Sequence, residues 1–278
     1  MNYVGPLIPK AIIETHGAFG CGLSFAKGPI ELVVIDLASS RAELLKSFSR
    51  ALLNFPTHFC NLTISTGVVG GIKCPMVKFK SVANRVSFEI VFNRPELLKE
   101  KECLLENLAE FPDLKYHMYY MIIFLRQRDL DNPIHGGLGV FLLTCMVVGF
   151  VKDLHKRNVT ARGAVQAKDT LLSEACLRML EFFGLHFDCS KQKINVSHVG
   201  NTIVDKPVPH KDSNFSMTVP AVYGEKDVGL AAHRAKEVYN CLKSRYFFMT
   251  NYNYLNGESV LKHLVNPSKV NFMKYPRA

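Results

Sequence analysis

The chain has 278 residues, 48% of them hydrophobic and 21% charged, enough for one large or two modest domains and unlike a disordered or low-complexity chain. A formal net charge of +10 points to a polyanionic partner, nucleic acid ahead of acidic membrane. Eight cysteines stand singly with no C-x-x-C pair, and the most apolar run, residues 136–151, falls short of a membrane span; disulfide scaffolds and transmembrane helices are excluded on those grounds.

The opening "MNYVGPLIPK" lacks the basic and apolar regions of a signal peptide, so the protein is expected to be intracellular and soluble, with reduced thiols. In that setting Asn61-Leu62-Thr63 and the other sequons are chance matches. The run "IELVVIDL", residues 30–37, is β-branched and apolar, as a buried strand is. After it, Ser40 and Glu43 have the spacing of a capping box, and Leu44, Leu45, Phe48 and Leu52 line one helical face. Strand-like runs follow at 60–66, 74–80 and 85–93, so the first ninety residues read β-α-β-β-β. Beyond Pro95 the period turns helical, over about 96–109, 113–128, 137–155 and 168–184. Residues 188–224, with Pro207, Pro209 and Pro220, read as loops with short strands, and a last helix is expected from near Asp227. The fold class is therefore α+β: a small mixed-sheet domain over 12–94, a mostly helical domain over 95–250 and a tail over 251–278.

The stretch "GCGLSFAKGPIELVVIDLA", residues 20–38, couples a glycine-rich turn to a strand. Positions 29 and 31 of a strand face the same way, and Glu89 in "VSFEIVFN" could join them from a neighbouring strand. Three carboxylates converging in this way would hold two divalent metals for phosphoryl or nucleotidyl transfer. The upstream turn "GAFGCG" would let backbone N–H groups approach a triphosphate. Here, however, position 29 is proline. Asp36 lies an odd number of residues from Glu31 and falls on the other strand face, where it reads as a polar residue at the helix entry.

This arrangement resembles the DNA polymerase β-like nucleotidyltransferases, most closely the noncanonical poly(A) polymerases of the TRAMP complex, the topoisomerase-related-function type. The family's G-S, G-L and S-D-I-D-L-V-V words match Gly17-Ala18, Gly22-Leu23 and Gly28-Pro29-Ile30-Glu31-Leu32-Val33-Val34 without a gap. Its V-P-I-I-K-F strand is similar to Cys74-Pro75-Met76-Val77-Lys78-Phe79, and its V-D-I-S-F-N strand to Phe88-Glu89-Ile90-Val91-Phe92-Asn93. Further on, "LRQRDLDNPIHGGLGVFLLTC" is similar to the family's Q-R-D-L-N and G-G-x-S-S-Y, and "VPAVYGEKDVGLAAHRA" to its D-V-G nucleotide-recognition turn. The resemblance implies a nucleotidyltransferase domain followed by a helical poly(A)-polymerase-associated domain. The implied reaction is attack of an RNA 3′-hydroxyl on the α-phosphate of ATP.

The departures gather where the resemblance places the chemistry. The first metal-binding acid corresponds to Pro29, and the second and third to Glu31 and Glu89, which are thus the candidate catalytic and metal-binding residues of a degenerate set. The serine of G-S becomes Ala18 beside Gly17, a phosphate-contacting lysine becomes Ile122, and the S-S-Y positions become Val140 and Phe141, the latter still able to stack on a base. Around Asp227, Val228 and Gly229 of the recognition turn, the flanking polar residues become Lys226 and Leu230. A pseudoenzyme is expected, without ATP binding, and with Mg2+ or Mn2+ only if activity remains. RNA is the expected partner, with a zinc-knuckle RNA-binding protein, an RNA helicase and a nuclear location implied by the resemblance. The rivals are a weak but active nucleotidyltransferase using Glu31 and Glu89, and a scaffold that engages surveillance partners without RNA.

Some features read more plainly. His186, Cys189, His198 and His210 fit no compact zinc spacing. His16 reads as a packed or partly exposed histidine, and Lys236, Lys243 and Arg245 as a solvated helix face, with an RNA-facing patch as the minority reading. Only about sixteen residues precede Gly17, and Pro6 and Pro9 oppose a long helix there. A shortened product, or one that needs a partner to cover apolar surface, is the expectation.

Overall fold

Alternation along Ile30–Ile35 decides the layout of the sheet. The structure, a computed structural model, describes residues 11–25, 28–69, 72–162, 172–196, 202–206 and 227–251. Between Leu105 and Glu106 the chain divides into two compact units. The first holds strands β1 (Ile12–Thr15), β2 (Ile30–Ile35), β3 (Phe59–Val69), β4 (Ile72–Ser81) and β5 (Ser87–Phe92), ordered β1-β2-β5-β4-β3. Only the β2–β5 pairing is parallel; the other neighbours run antiparallel. A single helical turn, α1 (Gly17–Gly20), follows β1, and helix α2 (Arg41–Leu53) follows β2.

Both faces of the sheet are covered, as a pair of parallel strands in its middle requires. Leu32 and Val34 of β2 join Ile90 and Phe92 of β5 and Leu44, Phe48 and Leu52 of α2 in one core. Val33 and Ile35 point the other way, into a second cluster with Cys74, Met76, Val91 and Leu97. The capping box is present in full: Glu43 N donates to Ser40 Oγ at 3.3 Å and Ser40 N donates to Glu43 Oε2 at 2.8 Å. Asn93, at φ 47°, locks the strand ends together by accepting from Asp36 N and donating to the Asp36 and Ser39 carbonyls. Asp36 itself accepts from Ala38 N and Ser39 Oγ, so it serves the turn into α2. Strand β3 lies at a sheet edge and is bulged between Cys60 and Thr63.

The second unit is helical, with α4 (Leu114–Arg126), α5 (Val140–Arg162), α6 (Leu172–Glu181) and α7 (Ala235–Thr250), and a small hairpin of β6 (Gln192–Ile194) and β7 (Ile203–Asp205). Helix α3 (Glu96–Glu110) precedes α4 in the chain. The apolar run over 136–151 is mostly a buried helix: Leu142 to Val151 are nearly all buried in α5. Phe150, Phe182, Phe183, Phe187 and Tyr239 form a connected aromatic core with centroids 5.0–6.3 Å apart. Among the described residues no helix is long and apolar enough to cross a membrane.

Three expectations need correction. Strand β1 and the turn α1 were not anticipated ahead of β2; four residues are too few to show a period, and Gly17 and Gly20 read as loop. The last helix starts at Ala235 rather than near Asp227, because Asp227 Oδ1 accepts from Gly229 N and turns the chain instead of capping a helix. The helix expected over 168–184 is described from Leu172 and ends at Glu181, continuing as a π-helical turn, Phe182–His186, where Gly184 lies against the Lys243 backbone. Residues 168–171, Pro207, Pro209, Pro220, Lys226, His198 and His210 lie outside the described residues, as do residues 1–10 and 252–278.

Candidate functional site

The parallel register puts Glu31 of β2 beside Glu89 of β5, and the antiparallel register of β4 puts Lys78 beside Glu89. Three residues from three adjacent strands thus form a row on the face that carries Val33 and Val91. Lys78 Nζ meets Glu89 Oε1 at 2.8 Å, with side chains 34% and 29% exposed. The sequence motif contains Lys78, but its pairing with Glu89 depends on strand register, which sequence does not show.

Glu31 reaches the other way, over the turn α1. Its Oε2 accepts from Phe19 N at 3.0 Å, and its backbone carbonyl accepts from His16 N at 3.1 Å. Burial pushes its carboxyl up to about 7; the neighbouring Glu89 adds to this, while the Phe19 N–H and Lys78 oppose it. Pro29 precedes the strand and offers no side-chain ligand. Behind the turn, His16 is 4% exposed, and burial with the Arg94 guanidinium nearby pushes its imidazole down to about 4. Burial raises the Cys21 thiol to about 12, so it is a packing residue.

The Mg2+ or Mn2+ that the resemblance implies does not fit these residues. Pro29 leaves one corner without a ligand, Glu31 is turned to a backbone N–H, and Glu89 is held by an ammonium group. Among the described residues no group of three or more His, Cys, Asp or Glu could hold a metal ion. His186 lies 3.7 Å from Glu181 and Cys189 is buried; the other two members of the zinc set lie outside the described residues.

In the second unit the remaining candidates cluster around two turns. Asn132 caps the 3-10 turn Pro133–His135, and Gly136 ends it at φ 80°. The Gly136 carbonyl accepts from Arg234 N at 2.9 Å, and a methyl group on Gly136 would stand 2.2 Å from His233 Nε2. The glycine pair therefore lies beside His233 and Arg234 at the entry to α7, a proximity that sequence reasoning did not foresee. Val228 and Gly229 are buried, Asp227 is half-buried and Leu230 is 73% exposed. Phe141 is half-buried on the first turn of α5, while Ile122 is 1% exposed, a core residue of α4. Gly17, Ala18, Glu31 and Glu89 belong to the first unit, and Phe141 and Asp227 to Gly229 to the second.

No family model matches the chain. It is 23% identical over 200 residues to the poly(A) RNA polymerase CID14 of Cryptococcus neoformans, covering 71% of this chain and 25% of that protein. It is 26% identical to the poly(A) RNA polymerase protein 2 of Saccharomyces cerevisiae, covering 66% of this chain and 30% of the other. It is 24% identical to the inactive noncanonical poly(A) RNA polymerase protein Trf4-2 of Drosophila melanogaster, covering 70% and 46%. The chain thus spans between a quarter and a half of the length of these relatives. The fold is similar to the polymerase core of TRAMP, an RNA surveillance complex, with a TM-score of 0.78 at 18% identity over 95% of this chain and 84% of that one. A structure of the Cid1 poly(U) polymerase bound to MgATP is also similar, with a TM-score of 0.74 at 12% identity over 95% and 88%. By sequence the chain is similar to noncanonical poly(A) RNA polymerases, and by fold it is similar to the nucleotidyltransferases of the TRAMP core and Cid1.

Proposed function

We propose that this protein is a nucleotidyltransferase-fold homologue that no longer transfers nucleotides efficiently and is kept for RNA or protein binding in RNA 3′-end processing and surveillance. One observation carries the reading: the first acid position is Pro29, and the two remaining carboxylates are engaged by the Phe19 N–H and by Lys78. Two metals clamp the attacking and leaving oxygens in such transfers, so losing the bridging acid removes most of that clamp. Ala18 and the buried Ile122 remove two further polar contacts in the same direction. A relative that bears the name of an inactive polymerase supports it. On this reading residues 12–94 are the nucleotidyltransferase domain and 95–250 its helical companion. Phe141 and the turn at Asp227, Val228 and Gly229 are what remains of nucleotide recognition.

The partners proposed are RNA, drawn by the net charge of +10, and surveillance proteins of the zinc-knuckle and helicase kinds, acting in the nucleus. Purified protein incubated with oligo(A), Mn2+ and each nucleoside triphosphate in turn tests the loss of catalysis. No extension is expected. Extension that disappears in the Glu31→Ala, Glu89→Ala double variant would overturn the reading. Binding of the same oligonucleotide that weakens steeply with salt tests the RNA arm.

A further inference from the structure

Among the described glycines, Gly17 has an unusual neighbour. A methyl group built on it would stand 2.6 Å from Glu31 Oε1 and 2.7 Å from both Cδ and Oε2. All three carboxyl atoms thus lie in the space that the absent side chain leaves. Gly17 also has φ +59°, where other residues are strained, so its conformation and its lack of a side chain serve one arrangement. Phe19 N donates into that carboxylate at 3.0 Å, Gly20 N closes the turn onto the His16 carbonyl at 2.8 Å, and His16 N holds the Glu31 backbone at 3.1 Å. The carboxyl of Glu31 is therefore packed against the backbone of the turn and held there by Phe19 N, while its own backbone is held by His16 N.

We propose that the Glu31 carboxylate is an internal occupant of the seat where the turn would otherwise take a nucleotide phosphate, so that the chain excludes nucleoside triphosphates by filling their place. The proposal rests on the nucleotidyltransferase reading given under Proposed function and goes beyond it, because absent metal ligands weaken catalysis without closing the phosphate seat. A triphosphate entering the turn must break the hydrogen bond from Phe19 N to the Glu31 carboxyl, which is charge-assisted in the ionised fraction, and displace the side chain that fills the turn. Displacing one such bond lowers affinity by roughly tenfold to a hundredfold. The extra methylene of glutamate over aspartate is what lets the carboxylate span from β2 to the Phe19 N–H. Aspartate, the residue the family pattern has at this position, stops short of the turn.

The test uses the full chain, metal-free inorganic tripolyphosphate as the probe, and potassium chloride matched in ionic strength as the control. Binding is followed by equilibrium dialysis and by melting temperature. The unmodified protein should show no shift beyond the salt control. Glu31→Asp, which withdraws the carboxylate, and Glu31→Ala, which removes it, should each bind at least about tenfold more tightly. Glu31→Gln keeps the seat filled without the charge and should bind clearly more weakly than the Ala variant. Equal binding by the unmodified and Asp variants, or none by either the Asp or the Ala variant, overturns the proposal. So does binding by the Gln variant as tight as by Ala, since repulsion rather than filling would then be the cause. Extension activity in the assay above would overturn both readings, because it requires a bound triphosphate. Tripolyphosphate binding by the unmodified protein without extension would overturn this proposal and leave the loss of catalysis standing. Glu31→Asp keeps the charge and the strand, which secures the test should Glu31→Ala unfold.

Discussion

At the C-terminal end of the β2–β5 pair, Val33, Val34, Ile90 and Phe92 are at most 1% or fully buried, and side chains from α2, α3 and β4 close over both faces. At the N-terminal end of the same two strands stand Pro29, Glu31 and Glu89, half-exposed and tied to Phe19 and Lys78. The two ends share register, hydrogen bonding and chain, yet one is closed by apolar side chains and the other carries polar groups tied to a backbone N–H and to an ammonium group. Folding depends on the apolar end, where each side chain is chosen by volume. Catalysis depends on the polar end, where a single carboxylate displaced by about 1 Å can cost on the order of 100-fold in rate. The shape of a sheet and the chemistry at its end therefore rest on different residues.

The sharpest way to break this comparison is to damage the apolar end. Phe48, fully buried and edge-on to Phe92 at 5.6 Å between centroids, should cost about 3–5 kcal/mol as Phe48→Ala, read from urea unfolding. Next comes Gly17→Ala at the polar end, expected to cost about 1–3 kcal/mol through the clash with Glu31 and the positive φ. Half or more of that cost should vanish in a Glu31→Ala background, and full additivity would deny the contact. Ser40→Ala should remove about 1 kcal/mol by opening the capping box of α2, measurable by the same unfolding curves. Lys78→Met is expected to have the smallest effect, about 1 kcal/mol or less, because the pair with Glu89 is a third exposed and screened. A larger loss there would mean that the polar end carries stability as well.

Much of the scaffold was legible in the sequence for identifiable reasons. The β-branched run at Ile30–Ile35 and the Ser40–Glu43 spacing are local signals, and the structure has both elements where those signals lie. Pro29 is equally plain, since a missing carboxylate needs no coordinates to be noticed. What escaped were relations across the chain. Strand β1 is defined by its pairing with β2, not by any period of its own. The start of α7 was misjudged because Asp227 can cap a helix or turn a loop, and local sequence does not say which. The engagement of Glu31 with Phe19, and of Glu89 with Lys78, follows from side-chain reach and strand register, which exist only once the sheet is assembled.

The lone parallel pairing has a further consequence, for the order in which the sheet is made. Strands β3, β4 and β5 are joined by short connections, whereas β2 meets β5 only after α2, β3 and β4 have intervened, as in the pairing of Glu31 with Glu89. Closing that longer loop carries the larger entropic cost, so the hairpins should form first and the β2–β5 contact late. Substitutions at Glu31 or Glu89 should then change the unfolding rate and leave the refolding rate nearly untouched. A site assembled late can vary without obstructing the path by which the chain reaches its fold.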